Sequence, residues 1–386
     1  MKYTLTHIAE IVGSASAVPA INIENLLLDS RKVYSPSSSL FFALTGPRRD
    51  GHQFIAELYK KGVRNFVVSE EQDAALYPNA YFVYVTDTLK ALQQLTIYHR
   101  NRFEIPVIGI TGSNGKTIVK EWLYQLLHED FHVVRSPKSY NSQIGVPLSV
   151  WQMDEQHTLA IFEAGISQPG EMETLEKIIE PTIGILTNIG EAHNEGFTDK
   201  DQKLAEKLKL FSNCQLLVGR ESDLTAGEGI ISSFETRPET IMWGASSTDN
   251  VSLKHIDKKD SHTIITVCTG GAEKKFIIPF NDDASVENSI TCYVVLLQFG
   301  ISHEVIAKRM QQLQPVNMRL ELKKGINHCT IINDSYSADL NSLEIALNFL
   351  SQQQGQAQKT VILSDLLQSA RSDDQLYHYI IEILQK

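Results

Sequence analysis

The residues best suited to chemistry lie at Gly109-Ile-Thr-Gly112-Ser113-Asn114-Gly115-Lys116-Thr117. Glycines in such a turn let successive backbone N–H groups converge on phosphate oxygens. A helix starting there adds the positive end of its dipole. Lys116 is then the group that reaches β- and γ-phosphates, and Thr117 the hydroxyl that coordinates magnesium. The strict phosphate-loop pattern has glycine at 110, where this chain has Ile110. The plain alternative is a glycine-rich strand–helix turn. Gly-Lys-Thr between a strand and a helix favours phosphate binding.

Two further residues fall where a ligand would sit. Glu163 follows the apolar run Leu159–Phe162, and His193 follows Ile183–Thr187. Open α/β sheets bind ligands at the carboxyl ends of their strands. Each residue alone reads as well as a helix cap or a structural histidine. Together they are candidate magnesium ligands, although magnesium prefers oxygen donors to imidazole. Asp29-Ser30-Arg31 and Thr45–His52 suit an anion site or ordinary turns, and Tyr140-Asn141 to Gly145 suits a polar loop.

These residues need a frame of elements around them. Val107–Ile110 reads as a buried strand, followed by a helix over 116–128. Strands over 158–162, 183–187 and 215–218 alternate with helices over 171–179 and 201–211. That alternation predicts an α/β parallel sheet covered on both faces. Before it, residues 1–103 hold short strands at 66–69 and 81–85 and a helix at 88–100. After it, 251–280 predicts an antiparallel appendage with Gly270-Gly271 between its last two runs. Helices follow at 286–299 and 303–313. From Met318 a third unit has strands at 330–333 and 360–363 and helices at 343–350 and 374–384. Two strands are few for a doubly wound domain, so this C-terminal α/β domain reads as incomplete. The expected domains are 1–103, 104–317 and 318–386.

Composition narrows the function classes. The chain has 386 residues, 42% hydrophobic and 21% charged, with net charge −11. A nucleic-acid binder usually carries a basic stripe, and acids interrupt the densest basic stretch, Lys200 to Lys209. No apolar run approaches the roughly 18 residues of a membrane helix, and the N-terminus lacks a signal-peptide pattern. Cys214, Cys268, Cys292 and Cys329 are scattered, which suits a reducing cytoplasm. An acidic protein that binds an anion must concentrate positive charge locally, which returns attention to Lys116.

The ordered set of motifs resembles the Mur ligase family, most of all its MurF type. It runs through Leu28-Asp-Ser-Arg31, Leu40–Gly46 with Asp50-Gly-His52, Gly109–Thr117, Asn141 with Ile144-Gly145, Phe162–Gly165 with Pro169-Gly-Glu171, and Thr187–His193. It closes with Asn288, Arg319 and Asn333-Asp334-Ser-Tyr336. The resemblance spans essentially the whole chain and implies a three-domain architecture around a central P-loop parallel sheet. It implies an ATP- and Mg2+-dependent ligase joining UDP-N-acetylmuramoyl-tripeptide to D-alanyl-D-alanine through an acyl phosphate, in the cytoplasm.

By that resemblance Ser30 and Arg31 face the UDP-sugar and Asn141 touches substrate. Gly112, Ser113, Asn114, Gly115, Lys116 and Thr117 hold the ATP phosphates. Asn288 contacts adenine, Arg319 phosphates and Asp334 the ribose region. Thr117 and Glu163 bind one magnesium, and His193 helps bind a second. Lys207 matches the family lysine that becomes carbamylated. On spacing alone Lys203, Lys207 and Lys209 also read as solvated side chains. The chain departs from the family at Ser139, Ser142, Ser285 and Met318 and at Ser337-Ala338-Asp339-Leu340. It is similar to the ligase half of fused ligase–alanine racemase chains. Two other readings remain at this level: a folylpolyglutamate-synthase-like ligase and a non-catalytic UDP-precursor-binding chain.

Overall fold

A computed structural model of the chain describes residues 3–46, 49–190, 197, 199–246, 250–326, 329–336, 340–352, 358–364, 366 and 373–384. Two compact units result. One holds Met1–Glu104 with Gln143–Gln156, the other Ile105–Ser142 with His157–Lys386. Residues 318–386 thus fall in the second unit.

In the first unit four parallel strands lie in the order Asn25–Leu27, Ser39–Phe42, Asn65–Val68 and Tyr81–Tyr84. Side chains alternate between faces with period two. Leu40 and Phe42 pack with Leu92 and Leu95 of the helix Thr88–Arg100 on one side. Phe41 packs on the other side with Phe66, Ile55 and Leu58. The helix starts where the sequence predicts, because Asp87 accepts hydrogen bonds from the N–H groups of Leu89 and Lys90.

The second unit is built on a nine-stranded sheet. Its order is Val133–Arg135, Leu159–Glu163, Val107–Thr111, Ile183–Leu186, Leu216–Arg220, Glu239–Gly244, Val251–Lys258, Thr263–Thr269, Ala272–Ile278. Neighbours are parallel up to Val251–Lys258 and antiparallel after it. Crossovers from Val107–Thr111 run first to one side and then to the other. The ligand crevice of such a sheet therefore opens at the carboxyl end of that strand. The helices Lys116–Leu127 and Asp283–Gln298 bury Trp122, Leu123, Ile290 and Tyr293 in the core of this unit.

Several elements differ from the sequence reading. The antiparallel runs are a continuation of the main sheet, joined by Trp243 against Val251 and Gly244 against Ser252. Gly270 and Gly271 turn the last hairpin with φ of +58° and +76°, as a primed turn demands. The strands Val133–Arg135 and Glu239–Gly244 were not expected. The first is only three residues long, and neither has a strong alternating pattern. Conversely, 360–363 forms no strand among the described residues, and Ile362 is almost fully exposed. Its β-branched run finds no hydrogen-bonded neighbour there. Glu321–Lys324 pairs antiparallel with Thr330–Asn333, and Leu343, Leu376 and Ile380 form a small core of the helices Leu340–Gln352 and Asp373–Leu384.

Candidate active site

The glycine-rich turn leaves the central strand at Thr111 and enters the helix at Lys116. Gly112 has φ +148°, and a Cβ there would meet Thr187 Oγ1 at 2.0 Å. Gly115 caps the helix at φ +81°, and its Cβ would lie 2.5 Å from Asn288 Oδ1. The segment 187–190 supports the turn. Ser113 N–H donates to Asn188 O (2.8 Å), Asn114 N–H donates to Asn188 Oδ1 (3.0 Å), and Gly190 N–H donates to Ser113 Oγ (2.9 Å). Lys116 folds back over the turn, its Nζ donating to the carbonyls of Gly112 (2.7 Å) and Ser113 (2.9 Å).

A second lysine reaches the same carbonyl. Lys207 Nζ donates to Gly112 O at 3.1 Å from the helix Lys200–Leu208 and is fully buried. Burial, with the charges of Lys116 and Lys203 adding to it, holds its pKa well below the ordinary lysine value. Lys203 is also fully buried, its Nζ on Gly190 O at 2.5 Å. The solvated reading is therefore wrong for Lys203 and Lys207, and holds only for the partly exposed Lys209, paired with Glu173 and Glu206. Lys203 and Lys207, four residues apart on one face of the helix, point inward to carbonyls of the glycine-rich turn and of Gly190.

Glu163 ends its strand fully buried. Thr117 Oγ1 donates to Glu163 Oε2 at 3.1 Å and lies 2.9 Å from Ser139 Oγ. The other carboxylate oxygen, Oε1, stands 2.9 Å from the Nζ of Lys120. Sequence reasoning passed over Lys120; its signal is a lysine four residues after Lys116, on the same face of the helix.

Beside the turn opens a cavity of about 180 Å³ whose lining includes Asn114, Gly115, Asn188, Glu287, Asn288, Arg319, Asp334 and Ser342. The structure thus brings Asn288, Arg319 and Asp334 together next to the phosphate loop, although they are far apart in sequence. Arg319 sits between Met318 and Leu320, whose φ values are +61° and +49°. Its Nη2 reaches within 3.5 Å of Thr117 Oγ1 and of Ser139 Oγ, and its guanidinium lies 4.2 Å from the Tyr336 ring centre. Leu320 N–H donates to Asp334 Oδ1 (3.1 Å), which holds the segment in place.

Asn141 packs against Gly165, which donates its N–H to Asn141 O at 2.8 Å. In the first unit Ser30 is buried, while Arg31 is exposed and forks onto Asp29 at 2.8 and 2.9 Å. That guanidinium holds the Asp29 carboxyl down at about 2. Asp50, His52 and Glu70 lie together, but His52 Nδ1 pairs with Asp50 (2.7 Å) and Nε2 accepts from Ser69 N–H (3.0 Å). Both ring nitrogens are used, so the group is a turn lock rather than a metal centre. His193 lies outside the described residues, as do Ser337, Ala338 and Asp339.

A parallel sheet with this loop at its switch point defines a P-loop nucleotide-binding protein. Residues 110–296 match the Mur ligase middle domain and residues 22–102 the Mur ligase family catalytic domain. Over 377 residues the chain is 30% identical to the UDP-N-acetylmuramoyl-tripeptide–D-alanyl-D-alanine ligase of Bacillus subtilis (strain 168), covering 95% of this chain and 79% of that protein. The crystal structure of MurF from Acinetobacter baumannii superposes with a TM-score of 0.81 at 25% identity, covering 92% of this chain and 77% of that one. The MurF ligase of Thermotoga maritima in complex with ADP shares the fold at a TM-score of 0.73 and 23% identity, covering 85% and 75%. The chain belongs to the Mur ligase family. The α/β architecture read from the sequence is the one these structures have. No helix among the described residues is long and apolar enough to cross a membrane.

Proposed function

We propose that this chain is an ATP-dependent amide ligase that joins D-alanyl-D-alanine to UDP-N-acetylmuramoyl-tripeptide in peptidoglycan precursor synthesis. The observation that carries this reading is the phosphate loop flanked by two buried lysines and bordered by a cavity bearing Asn288, Arg319 and Asp334, in a chain whose relatives, matched over 94–95% of it, are named for that reaction. In the reaction a carboxylate oxygen of the tripeptide attacks the γ-phosphorus and ADP leaves. The dipeptide amine then attacks the acyl carbon of the acyl phosphate and inorganic phosphate leaves.

Phosphoryl transfer needs positioning and charge neutralisation more than covalent help from the protein. Gly112–Gly115 would cradle the phosphates, Lys116 would leave the loop carbonyls for the β- and γ-oxygens, and Arg319 would meet the phosphates from the facing segment. Asn288 would touch the base and Asp334 the ribose. Glu163 and Thr117 suit magnesium: both are hard oxygen donors, and the buried Glu163 carboxylate has acceptor sites beyond those facing Thr117 and Lys120. They would hold one ion, with His193 and carbamylated Lys207 at a second, and magnesium there would supply neutralisation of the developing phosphate charge. Carbamylation needs a neutral amine, which the depressed pKa of Lys207 supports. Ser30 and Arg31 would face the UDP-sugar and Asn141 the substrate. We assign these tasks to 1–103 for the precursor, 104–317 for ATP and 318–386 for closure, in a cytoplasmic protein consistent with four unpaired cysteines.

Phosphate release measured with the lysine- or diaminopimelate-containing precursor, with and without D-alanyl-D-alanine, tests this reading. Release should require both substrates and magnesium. Release with folate and glutamate instead, or binding of the precursor without any turnover, would overturn it.

A further inference from the structure

Among the fully buried charges that the steps above leave unused, Lys120 lies against a proposed metal ligand. Lys120 sits one turn after Lys116 with no exposed side-chain surface. Its Nζ donates to Ser136 O (2.7 Å) and to Lys138 O, and stands 3.1 Å from Glu121 Oε1 and 2.9 Å from Glu163 Oε1. An ammonium has three N–H donors. Two go to the carbonyls, which leaves the third for the carboxylate side, where Glu163 Oε1 is the nearest oxygen. A carboxylate has about four acceptor sites, so with Lys120 at Oε1 and Thr117 at Oε2 lone pairs remain.

The carbonyls belong to the segment that leaves the strand Val133–Arg135. Lys138 has φ +52°, a left-handed turn in which two carbonyls of one loop meet one ammonium. The next residue, Ser139, places its hydroxyl on Thr117 Oγ1. One lysine therefore ties together the loop, the Thr117 hydroxyl and the Glu163 carboxylate. A buried carboxylate without a compensating charge is costly, so the pair is strongly coupled.

We propose that Lys120 is a positioning residue of the divalent-cation site: its ammonium fixes the Glu163 carboxylate and the Ser136–Ser139 loop in one arrangement and leaves the carboxylate's remaining lone pairs to the cation. The proposal rests on the reading that Glu163 and Thr117 take a metal. It differs from the roles of Lys116 and Lys207, because the contacts of Lys120 are the loop carbonyls and the carboxylates of Glu163 and Glu121 rather than the glycine-rich turn.

Binding of Mn2+ in the presence of ADP, followed by electron paramagnetic resonance without turnover, tests it on the full chain. Lys120→Met keeps the length of the side chain and removes the charge. Lys120→Gln keeps donors for the carbonyls and serves if the first variant does not fold. Either should weaken Mn2+ about 10- to 100-fold, the range for a partner that orients a metal ligand, with metal-free ADP affinity changed less than about twofold. In a Glu163→Gln background the same change should add less than about twofold, because the two residues act as one unit. Mn2+ affinity unchanged by the Lys120 variants, or losses that multiply in the double variant, would overturn the role of Lys120 alone. Unchanged Mn2+ affinity in Glu163→Gln would overturn the metal reading and the proposal with it.

Discussion

Two lysines donate to the carbonyl of Gly112, and a third to the carbonyl of Gly190 beside it. Such crowding of positive charge is tolerated only where an anion is expected or where one amine is neutral. Removing Lys116 takes away the donor for the transferred phosphate, so Lys116→Ala should lower kcat about 10²- to 10³-fold, the usual loss for one such donor. Circular dichroism and precursor binding should stay as in the wild type. Lys207 differs in kind: its burial and its cationic neighbours favour the neutral amine that CO₂ needs. Lys207→Arg keeps the charge but cannot form a carbamate, so activity should fall at least about 100-fold and not respond to bicarbonate. The wild type should lose activity in CO₂-free buffer and recover it with bicarbonate. Acidification should lower activity, since protonating the amine removes the nucleophile that binds CO₂. The exposed Lys200, replaced by arginine, should behave as wild type in the same assay.

At the scale of the element, the turn depends on backbone shape that only glycine tolerates. Gly112 combines φ +148° with Thr187 Oγ1 at 2.0 Å from any Cβ, and Thr187 Oγ1 is itself held by Asn114 O at 2.5 Å. Gly112→Ala should therefore destabilise the second unit by about 1–3 kcal/mol in urea melts, from overpacking and strain together. Nucleotide binding should fall further than stability, because the displaced turn no longer presents its N–H groups. Gly170 caps a different helix, Glu171–Ile179, and a Cβ there has open space. Its φ of +86° makes alanine there a test of strain without collision, and the smaller of the two losses is expected. The contrast separates a glycine needed for both packing and backbone conformation from one needed for conformation alone.

At the scale of the whole molecule, acid sensitivity has a defined source in the first unit. His99 is buried, with Nε2 donating to Met153 O (3.0 Å) and Nδ1 accepting from Tyr3 OH (2.8 Å). A carbonyl can only accept, so Nε2 carries hydrogen, and it is burial that favours the neutral ring over the charged one. Burial lowers its pKa from 6.5 to about 4. The unfolded chain then binds more protons between these values. The stabilising contribution is complete above pH 6.5, is lost as pH falls toward about 4 and is flat below. That loss is on the order of 3 kcal/mol. Urea melts at pH 7.5 and 4.5 should show it, and His99→Gln should shrink the difference while costing stability at both pH values.

Local sequence determined most of the elements that carry the site. The helix Thr88–Arg100 is written in its Asp87 cap and apolar spacing, and the phosphate loop in Gly112, Gly115 and Lys116. These are short-range effects, set by residues within one or two turns of each other. The tertiary structure alone decided which side chains meet. Lys203 and Lys207 read as a solvated stripe until the turn beneath them is placed, and Lys120 reads as an ordinary helix lysine until Glu163 arrives from another strand. Asn288 and Asp334 share a cavity with Gly115 only because the sheet order and the segment after Met318 bring them there. Burial of a charge is a property of what packs against it, and no spacing along the chain encodes that.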